Sequence, residues 1–195
     1  MMRFMLLFVL AAHLAGPVSA QSLDTVERSI GRLPRAFGVV EKGRVYRSGQ
    51  PLFDQLSNLR HDYGVKSILI LHASMQDSIA QELLEARANN LMALQVPISD
   101  HEFPSDENLV AILKFLKEAP KPVLIHCRAG ADRTGLVSAI YRHLFMGQDF
   151  REAKSEMLSI RWGHLWFGPV TAMDHYYLDV YPSKIEAFKQ AMGGN

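Results

Sequence analysis

From residue 37 onward the chain alternates short apolar runs with longer stretches whose apolar residues recur every three or four positions, which predicts strands and helices in turn. Phe37–Val40 and Arg44–Arg47 read as a hairpin across Glu41-Lys42-Gly43. Residues 51–63 read as a helix stopped by Gly64. Val65-Lys66-Ser67-Ile68-Leu69-Ile70-Leu71 is a short, mostly apolar run, the pattern of a buried strand. Gln76–Ala88 is rich in helix formers and is predicted to turn Ile79, Leu83 and Leu84 inward. Leu91–Val96 is a further strand, ended by Pro97. Ser105 is the expected cap of a helix with Asp106 and Glu107 in its first turn and an apolar stripe of Leu109, Ile112, Leu113 and Leu116. Pro122–His126 is the next strand, followed by a helix over Arg133–Phe145 with Val137, Ile140, Tyr141 and Leu144 facing the core. Phe150–Met192 is expected to be helical, with breaks near Gly163, Gly168-Pro169 and Pro182.

Strand–helix alternation of this kind predicts an α/β fold, a mostly parallel central sheet flanked by helices. No linker interrupts residues 21–195, so they are expected to form a single domain.

The first twenty residues have a different pattern. A positive start, Met1-Met2-Arg3, leads into an apolar run from Phe4 to Leu14 broken only by His13. Small residues follow at Val18-Ser19-Ala20. This is the pattern of an export signal over residues 1–20, with Gln21 as the new N-terminus. The run falls short of the roughly 20 apolar residues that span a bilayer. The expectation is an exported protein, periplasmic or secreted, with no stable membrane insertion after cleavage; an uncleaved anchor helix is the alternative. The balance of 21 basic and 20 acidic residues argues against a nucleic-acid partner.

One cysteine is present, Cys127, so internal disulfides cannot hold the domain together. A buried small hydrophobe is the ordinary role for a lone cysteine, but its surroundings suggest another. The strand ending at His126 runs directly into Cys127-Arg128-Ala129-Gly130-Ala131-Asp132-Arg133-Thr134-Gly135, and a helix follows. In parallel sheets ligands bind beyond the carboxyl ends of the strands. Five residues separate Cys127 from Arg133, and Gly130 can take backbone angles that other residues avoid. Such a loop can turn the amides of Arg128, Ala129, Gly130, Ala131 and Asp132 toward one centre, beside the positive end of the helix. Arg133 can close the cradle with a two-pronged grip on two phosphate oxygens. The same field favours a thiolate at Cys127.

This segment resembles the signature of the cysteine-dependent protein-tyrosine phosphatase superfamily: His-Cys, five residues, Arg, Thr, Gly. Two further stretches extend the resemblance toward small bacterial dual-specificity-like enzymes. They are Arg44-Val45-Tyr46-Arg47-Ser48-Gly49-Gln50-Pro51 and Val96-Pro97-Ile98-Ser99-Asp100-His101. The resemblance implies a dual-specificity phosphatase-like fold and a phosphocysteine intermediate on Cys127. It also implies phosphate binding by Arg133 and the loop amides, and general acid catalysis by Asp100. Thr134 would donate to the sulfur and His126 would order the loop, with no metal and no cofactor required. Glu102 and Asp106 are the alternatives to Asp100. Arg47 and Gln50 are expected to support the loop from beneath. His72 is expected to be a satisfied surface histidine, and Trp162 and Trp166 either core residues or a pocket wall. The histidines lack metal-ligand spacing.

The expected partner is a phosphorylated protein or a small phosphomonoester. Asp132 before Arg133 resembles phosphoinositide phosphatases, but Ala131 stands where those often carry lysine, which favours a monophosphate such as phosphotyrosine. A phosphoinositide or inositol-phosphate phosphatase is the first alternative, and a catalytically inactive phosphate-binding module the second. Sulfur transfer or arsenate reduction is disfavoured by the lack of a second cysteine to resolve the first.

Overall fold

A computed structural model describes residues 31–73, 76–158 and 172–193. Five four-residue strands build one sheet: β1 (Gly38–Glu41), β2 (Val45–Ser48), β3 (Ser67–Ile70), β4 (Met92–Gln95) and β5 (Val123–His126). Their order is β1-β2-β5-β3-β4. Only β1 and β2 run antiparallel. The other pairings are parallel, with Val123 of β5 level with Val45 of β2 on one side and Ser67 of β3 on the other. The strands are shorter than the apolar runs suggest, although Val65, Leu71, Leu91 and Val96 at their ends stay buried. Leu71, for example, still donates to the His126 carbonyl at 2.9 Å.

The helices are α1 (Phe53–Tyr63), α2 (Gln76–Ala88), α3 (Asp106–Glu118), α4 (Asp132–Met146), α5 (Phe150–Ala153), α6 (Ser155–Leu158), α7 (Ala172–His175) and α8 (Tyr181–Ala191). Gly64, with φ 67°, ends α1 in the left-handed conformation that glycine allows without strain. Ser105 Oγ accepts from Asn108 N at 3.2 Å and caps α3.

The period-2 alternation of the strands sorts the core into two layers. Val45, Leu69, Leu71, Val123, Ile125 and Cys127 face α3, α4 and the C-terminal helices. Tyr46, Ile68, Ile70 and Leu124 face α1 and α2. This is the expected α/β architecture. No helix among the described residues is long and apolar enough to cross a membrane.

Leu84 and Pro182 depart from the sequence pattern. Leu84 is 61% exposed; the inward arc of α2 holds Ile79, Glu82, Leu83 and Ala86, so an acidic residue takes the place assigned to a leucine. Pro182 does not break the C-terminal helix. It stands in the first turn of α8, where its missing N–H costs nothing, and a π-helical turn over Tyr176–Val180 leads into it. Tyr177, Tyr181 and Phe188 stack from there, with Phe150 4.6 Å from Tyr177 between ring centroids. The expected breaks at Gly163 and Gly168-Pro169, Trp162, Trp166 and the export signal lie outside the described residues.

Candidate active site

The central strand, β5, delivers Cys127 to the carboxyl edge of the sheet, and α4 begins five residues later at Asp132. The sulfur is buried, and Gly130 N donates to it at 3.2 Å. An amide directed at the sulfur stabilises its anion. Gly130 has φ 80°, and a Cβ there would sit 2.4 Å from Gly49 N and 2.7 Å from Ser48 C. The loop therefore closes against the backbone after β2, which only glycine permits.

Its carbonyls are held on the outside. Arg47 Nη2 takes Gly130 O at 2.7 Å and lies 3.4 Å from Ala131 O. Arg128 O accepts from Gln50 N at 3.3 Å and from the Arg35 guanidinium. With the carbonyls fixed there, the amides are left for the centre, the requirement for an anion cradle. Arg47 and Gln50 thus support the loop as expected. Arg47 is fully buried, and its other nitrogen, Nη1, meets Glu156 Oε2 and Glu156 O, each at 2.8 Å. Burial draws the Arg47 guanidinium below the usual arginine range, against the pull of Glu156. Glu156 also reaches Arg142 Nη2 at 2.6 Å.

Arg133 projects from the first turn of α4, with its side chain only 11% exposed. Its Nη1 donates to Ile98 O at 3.4 Å, and its Nη2 lies 3.7 Å from Asp100 Oδ2. The loop after β4 is thereby brought to the cradle with Asp100 on it. Of the three candidate acids, Asp106 is engaged elsewhere, by Lys184 Nζ at 2.6 Å, and Glu102 is exposed. Thr134 is buried, and its hydroxyl has no hydrogen-bond partner among the described residues; the bond to sulfur comes from Gly130. Arg128 and Ala129 are exposed on the rim, Asp132 is half-buried, and Ala131 is buried.

Under the opposite face of the loop, the alternation of β3 and β5 carries His72 and His126 toward α2, where Glu82 meets them. Glu82 Oε1 is 2.9 Å from His126 Nε2, and Glu82 Oε2 is 3.7 Å from His72 Nε2. Gln50 Nε2 donates to Glu82 Oε2 at 3.2 Å. His72 is 1% exposed, so it is a buried histidine and not a surface one. Burial alone would raise the Glu82 carboxyl, but hydrogen bonding and charge from His126 and His72 overcome it and bring it to about 2. The three donor groups lie within 4.8 Å of one another, so the fold assembles a histidine–carboxylate cluster that spacing along the chain does not suggest.

Glu82, Glu156 and Arg35 were not singled out by the sequence pattern. A carboxylate on the apolar arc of α2 was the available signal for Glu82, and an arginine inside a buried strand was the signal that Arg47 needed a partner such as Glu156. Nothing comparable marked Arg35.

A family model described as "Polymorphic toxin system, DSP-PTPase phosphatase" matches residues 43–147, more than half of the chain. The inositol diphosphatase DSP1 of Oryza sativa is 35% identical over 116 residues, covering 57% of this chain and 50% of that protein. The dual specificity protein phosphatase TpbA of Pseudomonas aeruginosa is 41% identical over 54 residues, 27% of this chain and 25% of TpbA. The chain thus spans half the length, or less, of these two relatives. Among solved structures, the core catalytic domain of the PP-IP phosphatase SIW14 from S. cerevisiae superposes with a TM-score of 0.64 at 24% identity. That match covers 81% of this chain and 93% of the other, and it shows the shared fold.

Proposed function

This chain belongs to the DSP-PTPase phosphatase family that the matching model describes, and from that premise we propose that it is a metal-independent phosphomonoester hydrolase working through Cys127. The observation that carries the reading is the cradle itself: an amide on the Cys127 sulfur, carbonyls tied outward, and Arg133 and Asp100 converging on its mouth.

In the first step the Cys127 thiolate attacks phosphorus in line with the leaving oxygen. The S–P bond forms as the P–O bond breaks, and the Asp100 carboxyl gives its proton to the departing oxygen. The loop amides and Arg133 hold the equatorial oxygens, where charge is spread in the transition state. In the second step the Asp100 carboxylate takes a proton from water as the water oxygen attacks phosphorus, and the S–P bond breaks to return the thiolate and release phosphate. The buried Thr134 hydroxyl stands one residue beyond Arg133 and is the group to stabilise the departing sulfur. The positive field comes from amides and a guanidinium, so no metal enters these steps.

The proposed substrate is a phosphorylated protein or a small phosphomonoester, phosphotyrosine first, because Ala131 supplies no second cation inside the cradle. An inositol-phosphate substrate is the second reading, supported by the length of the match to the inositol diphosphatase DSP1. Export to the periplasm or medium, with residues 1–20 removed and 21–195 acting as one domain, is proposed on the signal-like pattern of the N-terminus.

Phosphate release by the purified protein in EDTA is the test, with phosphotyrosine, phosphoserine, phosphoinositide and inositol-phosphate substrates and Cys127→Ser alongside. Release that persists in EDTA and vanishes in the mutant is expected. Failure on every substrate by folded protein would overturn the reading.

A further inference from the structure

Glu82 is 4% exposed, among the most deeply buried acidic groups described, and it touches no part of the cradle directly. A carboxylate that deep is kept only where its partners repay the lost hydration. Its partners are specific. Oε1 faces His126, the residue immediately before Cys127. Oε2 accepts from the side chain of Gln50, whose backbone N holds the carbonyl of Arg128, the residue immediately after Cys127. One buried carboxylate therefore reaches both chain neighbours of the nucleophile. The His126 carbonyl is fixed in turn by Leu71 N at 2.9 Å, which ties this anchor to the ladder between β3 and β5.

We propose that Glu82 is a positioning residue: by holding the His126 ring and the Gln50 side chain it fixes the chain on both sides of Cys127 and so keeps the sulfur in the cradle. The charged and titratable groups that face Glu82 are His72 from the end of β3 and His126 from β5. Arg47 of β2 points to the other layer, where Glu156 engages it. Removing the carboxylate has two opposite electrostatic consequences, and their sign separates the readings. A buried negative charge beneath the loop disappears, which by itself favours the thiolate. The hold on His126 and Gln50 disappears too, and the loop that directs the Gly130 amide at the sulfur loosens, which disfavours it. The proposal is that the second effect prevails.

The kinetic arm of the test rests on the phosphatase reading; the alkylation arm does not. The variants are Glu82→Gln, which keeps the volume, and Glu82→Ala, with Leu84→Ala as a control from the exposed side of the same helix. Cys127 alkylation by iodoacetamide is followed by mass spectrometry across pH, on protein shown to be folded by circular dichroism. In Glu82→Gln the pH midpoint of alkylation is expected to rise by about one unit, a tenfold change in the thiol equilibrium. With p-nitrophenyl phosphate, kcat is expected to fall on the order of tenfold or more while KM moves less than threefold, the mark of a transition-state effect. Leu84→Ala should match wild type. A midpoint that falls, or one that superposes on wild type with kcat within twofold, would overturn the proposal and leave Glu82 a packing residue. If wild type releases no phosphate and the midpoint still rises in Glu82→Gln, the phosphatase reading fails and the positioning role stands. If Glu82→Gln does not fold, Gln50→Ala carries the same test from the other arm of the anchor, with a smaller upward shift expected and an unchanged midpoint overturning it.

Discussion

Arg133 Nη2 stands 3.7 Å from Asp100 Oδ2 while Nη1 of the same guanidinium donates to Ile98 O at 3.4 Å. The arginine that would bind phosphate is thus tethered to the loop that would supply the proton. Asp100 is 46% exposed, so solvent screens the pair and it contributes little to stability. Its weakness suits the reaction. A phosphate dianion would offer the guanidinium a stronger, two-pronged partner, and on its arrival Arg133 is expected to turn from the Asp100 loop to the substrate.

Asp100→Ala is expected to lower kcat on the order of 10²-fold to 10⁴-fold for alkyl and tyrosyl phosphates and far less for p-nitrophenyl phosphate, whose leaving group needs no proton. The measurement is kcat across a series of aryl phosphates of graded leaving-group acidity. An equal loss across the series would remove Asp100 from the acid role.

Arg47→Ala leaves Glu156 with Arg142 alone and releases the carbonyl of Gly130. Breaking a buried pair costs up to about 3–5 kcal/mol when the remaining charge has no partner; with Arg142 still in place the loss should be smaller, and urea unfolding should register it. Arg47→Lys should restore part of the stability but not the loop geometry, because a single ammonium lacks the fork that reaches Glu156 and Gly130 from two separate nitrogens. Full activity in Arg47→Lys would show that the loop does not depend on this bond.

Gly130→Ala places a methyl where Gly49 N and Ser48 C already stand, at a φ of 80°. The backbone strain alone is about 1–3 kcal/mol, and relieving the clash moves the Gly130 amide off the sulfur. Loss of phosphate or vanadate binding by calorimetry, with the far-ultraviolet spectrum intact, is the expected result. Binding at wild-type strength would mean that the loop tolerates a wider gap from the turn after β2.

Glu82 supplies a pH dependence of stability. Its carboxyl is depressed from 4.5 to about 2 in the folded protein. The sign follows from linkage: a depressed carboxyl contributes stability that is fully present above its unfolded value and is lost as pH falls through the folded one. The window is therefore between about pH 4.5 and 2, and its size is on the order of 3 kcal/mol. Urea unfolding at pH 6, 4 and 3 should show wild type losing more stability on acidification than Glu82→Gln. Parallel losses would show that the cluster is not coupled to folding.

Much of this arrangement was legible in the chain. The alternation of apolar runs and helical stripes carries the sheet and its helices because a parallel sheet buried on both faces leaves little choice of pattern. Cys127, Arg133 and Gly130 are adjacent in the chain, so a short loop displays them together. Asp100 was harder: its closeness to the end of a strand favoured it, but its place depends on how β4 sits beside β3, and only the fold shows Lys184 holding the alternative Asp106. The support beneath the loop was mostly hidden. Glu82 lies 44 positions before His126, and Glu156 lies 109 after Arg47. Only the folded sheet brings such pairs together, and a single acidic letter on an apolar arc looks like an imperfect helix until its partners are in place. Leu84 shows the reverse error: a neighbouring leucine satisfied the pattern and faces solvent.

The sheet order also sets the mechanical footing of Cys127. β5 is the middle strand of the five, gripped by β2 and β3, while β1 and β4 take the two edges. Local opening begins at edges and loops, where few neighbours must be broken at once. The strand that delivers Cys127 should therefore hold its amide protons longest in exchange with heavy water, while the rim around it trades them freely. Such a molecule would admit and release ligands through a yielding border without letting the sulfur drift.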